Sequence, residues 1–141
     1  MNTKQFALTA VMIFATATFS QAQIVQSEQT KFSAADKHRI EQSLVRALST
    51  PNNGVVNSAL AIAAKLKLDH PTENFSNIMQ EVSYLAEHSK VPMIRYRASL
   101  TEAVYNNPVS FKQIAAHQSN DQDTLFTALD DQMTAPTLSA K

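Results

Sequence analysis

Few side chains in this sequence could do chemistry, and their spacing does not suit it. The histidines are His38, His70, His88 and His117, and no two stand three or four residues apart, the spacing that gathers imidazoles on one helix face around a metal. His70 precedes Pro71 in a turn and His88 falls at a helix end, where a ring nitrogen suits unpaired carbonyls. No serine begins an S-x-x-K run or lies in a glycine-rich turn, so the short nucleophile motifs are missing, and a triad assembled from distant segments is recognised only by geometry. Asp121, Asp123, Asp130 and Asp131 lack the glycine-centred loop of a calcium site. Asp121 and Asp123 suit a helix N-terminus instead. Lys90, Arg95 and Arg97, with Tyr96 between the arginines, form the one local basic cluster and could hold a carboxylate or an acidic segment. The expectation is a non-enzyme with no catalytic residue, no metal and no cofactor.

Composition narrows the classes further. The 141 residues contain one glycine, Gly54, and no cysteine. Phosphate-cradling loops, dinucleotide fingerprints and nucleophile elbows each need several residues without a Cβ, so one glycine excludes them. Without cysteine there is no thiolate nucleophile, no cysteine-ligated metal and no disulfide, so packing must supply the stability. Twelve Lys and Arg balance twelve Asp and Glu, which leaves no electrostatic footprint for nucleic acid.

The first residues read as an export signal. Lys4 supplies the positive start, Phe6 to Phe19 an apolar run, and Ser20-Gln21-Ala22 the small residues of a cleavage site after Ala22. The run is about 14 residues, short of the roughly 20 a membrane-spanning helix needs. The expected organisation is a signal peptide over 1 to 22, a mobile arm over 23 to 32, one α-helical domain over 33 to 133 and a disordered tail over 134 to 141. The mature protein is then periplasmic or secreted, with no membrane span after cleavage.

Apolar periodicity inside the domain is helical throughout. Ser33 and Asp36 have capping-box spacing and open a helix with Ile40, Leu44, Ala47 and Leu48 on one face, which ends in the turn-forming run Ser49 to Gly54. A second helix, about Val55 to Leu68, is apolar almost all round and must have neighbours on several sides. Pro71 breaks the pattern and Thr72 is placed to cap a third helix, about Glu73 to His88, with Phe75, Ile78, Met79, Val82, Leu85 and Ala86 inward. Pro92 suits the first turn of a fourth helix, running to about Tyr105, with Met93, Ile94, Ala98, Leu100, Val104 and Tyr105 inward. A short helix over 109 to 116 and a last one over 121 to 133 follow.

A shift of about 38 residues lays Ile40, Leu44, Ala47 and Leu48 onto Ile78, Val82, Leu85 and Ala86. One residue more lays Val55, Ala59 and Ala64 onto Ile94, Ala98 and Ala103. Two helix pairs of one pattern describe a helical-hairpin repeat, each pair stacking on the next. Ile94-Arg95-Tyr96-Arg97-Ala98 resembles the aliphatic-Arg-x-x-Ala opening of the second helix in HEAT-type repeats. Val55-Val56-Asn57-Ser58-Ala59 keeps its aliphatic and alanine positions, with Val56 where the arginine would stand. The resemblance covers about residues 34 to 105.

The fold expected is therefore all-α: a short HEAT-like α-solenoid of two hairpins plus a C-terminal capping helix, with a compact four- or five-helix bundle as the alternative. HEAT resemblance implies binding and scaffolding, with an unspecified protein or peptide as partner. The surface expected to meet it lies on the second helices of the two pairs: Asn57, Ala61, Lys65, Arg95, Ser99 and Glu102. The competing reading is a helical carrier or holdase that shelters an apolar ligand or an unfolded chain among Phe75, Met79 and Met93.

Overall fold

A computed structural model describes residues 32 to 116 and 121 to 135. Residues 1 to 31, on which the expected signal and most of the expected arm fall, residues 117 to 120, His117 among them, and residues 136 to 141 of the expected tail lie outside the described residues. Within them the chain is all-helical: α1 (Ala34–Leu48), α2 (Asn53–Asp69), α3 (Ser76–His88), α4 (Pro92–Asn106), a 3-10 turn (Pro108–Phe111), α5 (Lys112–Ala116) and α6 (Gln122–Thr134). No helix among them is long and apolar enough to cross a membrane.

Local chemistry explains where most of these helices start. The Ser33 hydroxyl accepts the Asp36 amide at 3.1 Å, the N-cap half of the capping box the sequence predicts, and donates to the Asp36 carboxylate at 2.6 Å. Asn52 Oδ1 accepts the amides of Gly54 at 3.0 Å and Val55 at 3.3 Å, so α2 begins two residues before the expected Val55, inside the turn-forming run. Pro92 opens α4 without losing a hydrogen bond, since the first amides of a helix have no partner within it. Asp121 caps α6 by accepting the Thr124 amide at 2.9 Å and its hydroxyl at 2.8 Å.

Helix α3 departs from expectation. Thr72 lies in a turn, the helix starts at Ser76, and its N-cap, Phe75, makes no side-chain capping bond. The acceptor comes from α1 instead. Buried Glu41 takes the Asn77 amide at 3.3 Å on Oε1 and the Asn77 side chain at 3.2 Å on Oε2, placing a carboxylate at the positive end of α3. The connection from α2 is held by Lys67, whose ammonium donates to the carbonyls of Pro71 at 2.9 Å and Glu73 at 2.7 Å. Burial pushes this ammonium below its ordinary pKa, and neighbouring Glu73 opposes the shift. Phe32 sits here too, 4.5 Å from the His70 ring and 6.2 Å from Phe75. It therefore belongs to the packed domain, as Thr134 belongs to α6, and not to the arm and tail in which the sequence places them.

The helices assemble as two hairpins, α1 with α2 and α3 with α4, laid side by side so that α1 meets α3 and α2 meets α4. Helices α5 and α6 then cover α2, and α6 also covers α4. This puts α2 and α4 in a middle layer and accounts for the apolar circumference of α2: Val56, Ala59, Leu60, Ala61, Ala63, Ala64 and Leu68 are all buried. Alanines at these positions let helix axes approach closely. Thr101, fully buried on α4, satisfies its hydroxyl by donating to the Arg97 carbonyl at 2.9 Å. The capping role expected of the C-terminal helix is met by α6, tied on through Leu125, Phe126 and Leu129, all buried, and through Gln122, which donates to Ser58 Oγ at 2.8 Å.

Candidate interaction surface

The residues expected to form one surface on α2 and α4 do not do so. Ala61 is only 3% exposed and belongs to the core. Asn57 is half-buried, with an Oδ1 that is covered and lacks a hydrogen-bond partner among the described residues. Glu102 turns toward α3 and accepts the Ser83 hydroxyl at 2.6 Å. Arg95 and Ser99 remain exposed on α4, the first donating to the Ser89 carbonyl at 2.8 Å and the second to the Arg95 carbonyl at 3.0 Å. Lys65 is half-buried on α2, beside Leu66. The expected surface is divided because α5 and α6 pack on α2 and α6 on α4, while Glu102 is drawn to α3.

The basic cluster is dismantled by the same packing. Arg97 pairs with Asp123 of α6 and lies 4.9 Å above the Phe126 ring. The Tyr96 hydroxyl bonds to Asp130, and this bond holds its pKa above the ordinary tyrosine value. Two of the four aspartates therefore have partners on α4, and a third, Asp121, caps its own helix. The described histidines have local partners: His38 with Gln42 at 2.9 Å, His70 with Phe32, and His88 with the Tyr84 carbonyl at 3.2 Å and the Tyr84 ring at 4.7 Å. The carrier residues scatter as well. Phe75 is fully packed, Met79 is half-buried, and Met93, expected inward, is 53% exposed.

What the sequence does not reveal is an open apolar groove of about 530 Å³ between α1 and α2, lined by Arg39, Ile40, Ser43, Leu44, Ile62 and Leu66. Ile62 is 53% exposed in a helix that reads as covered on every side. The pairing of the two hairpins explains the groove. Ile40 stands in the first hairpin where Ile78 stands in the second, yet Ile78 is fully buried and Ile40 only half-buried. In a stacked array each hairpin covers the next, and α1 does this for α3. Among the described residues no hairpin does it for α1. The terminal unit of such an array ordinarily carries a polar outer face, whereas this one presents two isoleucines and two leucines.

Two smaller grooves differ in character. One, of about 300 Å³, runs between α1 and α3 past Glu41, Gln42, Asn77, Gln80 and Glu81, and is largely polar in its residues. The other, of about 310 Å³, lies at the hairpin tips beside Pro51, Tyr84 and Ile94. No protein-family model, curated protein or solved structure matches this chain.

Proposed function

We propose that this protein is an exported, non-enzymatic interaction module of HEAT-like build, which binds a protein or peptide through the α1/α2 edge of its two-hairpin stack. The observation that carries the reading is the unequal burial of equivalent positions, Ile78 sealed and Ile40 open, beside an exposed Ile62. An apolar strip left where a repeat array would continue is suited to receive another element, and contiguous exposed apolar surface commonly marks such contacts. The stack holds the surface rigid, which lowers the ordering cost of association. Export rests on the signal-like residues 1 to 22. The carrier reading loses support because Phe75 fills the core and Met93 faces solvent, so the two do not share a sheltered space.

The test is affinity capture with a C-terminally tagged full chain expressed in its native cells, wild type beside Ile62→Asp. The position is half-exposed, so the variant folds. A discrete protein recovered with the wild type and reduced at least tenfold with Ile62→Asp is the expected result, since a charge at the centre of an apolar contact typically costs more than 1.4 kcal/mol. Recovery that ignores the substitution, or a small molecule copurifying with no protein, would overturn the reading.

A further inference from the structure

We propose that Asn53 is a site of spontaneous deamidation, held in check by the side chain of Asn52. The site lies apart from the α1/α2 groove, in the turn that opens α2. The one glycine of the chain follows an asparagine, so Asn53-Gly54 is its one Asn-Gly pair. Here the Gly54 amide nitrogen attacks Cγ of Asn53 with no Cβ to hinder the approach. A C–N bond forms, the Cγ–Nδ2 bond breaks, and the amide proton leaves with Nδ2 as ammonia. Water then opens the five-membered imide, giving aspartate, or isoaspartate in which the chain continues through Cγ.

The fold leaves this pair within reach of solvent. Residues 51 to 55 are all exposed, so water and base meet both reacting groups. Gly54 lies in the first turn of α2, where amides have no acceptor within the helix, and the first ladder bond runs from the Val56 amide to the Asn52 carbonyl at 3.0 Å. The Gly54 amide is restrained by Asn52 Oδ1 at 3.0 Å, which also takes the Val55 amide at 3.3 Å. That capping bond keeps the attacking nitrogen's proton engaged and the first turn helical. It is exposed to water, where such a bond contributes little net free energy, so it opens and lets the attack proceed. Conversion changes the surface. Helix α2 has no acid in its first turn, a position the helix dipole favours for aspartate. Asn53 also lines the hairpin-tip groove with Glu81, so that groove gains a second carboxylate. Isoaspartate adds an atom to the backbone and unwinds the first turn.

The experiment incubates the purified full chain in mildly alkaline buffer and follows the tryptic peptide over residues 47 to 65 by mass spectrometry, each event adding about 1 Da. Fragmentation separates Asn53 from Asn52 and from half-buried Asn57, which serve as internal controls. Asn53 should convert ahead of both. Gly54→Ala should slow it at least about tenfold by placing a Cβ beside the attacking nitrogen. This variant folds, since the added Cβ meets only the end of the Asn52 side chain, at 3.3 Å. Asn52→Ala, which removes the cap, should speed conversion at least about threefold, with helical circular dichroism checked for both variants. Asn53 intact while Asn52 or Asn57 converts, or an unchanged rate in Gly54→Ala, would overturn the site. An unchanged rate in Asn52→Ala would overturn its control by the cap.

Discussion

Replacing Phe75 by alanine is expected to cost about 3–5 kcal/mol of folding free energy, the range for emptying a buried aromatic site. The ring is 1% exposed and ends the connection between the two hairpins. Phe32 meets its edge, and the Lys37 ammonium lies 5.7 Å from its centre. Its loss would therefore loosen the chain entry as well as the α1/α3 contact. A domain of this size has roughly 5–15 kcal/mol in total, so the variant should unfold at far lower denaturant with an unchanged slope. Destabilisation below about 1 kcal/mol would show that this junction is not where the hairpins are joined.

Leu129→Ala should cost about 2–5 kcal/mol, because Leu129 is fully buried on α6. That size of effect is expected only if α6 is a structural layer over α2 and α4. Asp123→Ala should cost less than about 1 kcal/mol, since its side chain is 76% exposed and its pairing with Arg97 is solvent-screened. Acid should loosen the same helix. The Thr124 amide and hydroxyl hold the Asp121 carboxyl below the usual aspartate range, so its capping contribution is present above the unfolded value of about 3.9. It is lost as pH falls through the lower folded value. The protection of α6 amides relative to their intrinsic exchange rates should fall only below about pH 4, and a loss of protection near pH 6 would contradict the assignment.

The helices were legible because their signals are local. Ser33 with Asp36, Asn52, Pro92 and Asp121 act within a turn of where they stand, and the repeated stripe of Ile40 and Ile78 placed the two hairpins. Errors arose where a distant segment decides. Thr72 has the right chemistry for a cap, but the Lys67 clamp closes a longer loop and Glu41, 36 residues before Asn77, supplies the acceptor. A signal for this was available: Glu41 falls on the stripe of Leu44 and Leu48, and a carboxylate on an apolar face requires a partner. The basic cluster is divided because nothing in its own segment announces that α6 brings Asp123 to Arg97 and Asp130 to Tyr96. The groove was invisible for the opposite reason. Ile62 sits in a helix whose apolar residues have neighbours almost everywhere, and periodicity cannot show which neighbour is missing.

The central claim, that the α1/α2 edge is the face open to a partner, is tested most directly by isoleucine-methyl NMR of the full chain titrated with the captured partner. Ile40 and Ile62 flank the groove, while Ile78 and Ile94 are sealed in the core. The account predicts that the methyl signals of Ile40 and Ile62 shift or broaden at saturation while those of Ile78 and Ile94 hold their positions. Perturbation centred on Ile78 and Ile94, with Ile40 and Ile62 unmoved, would contradict it.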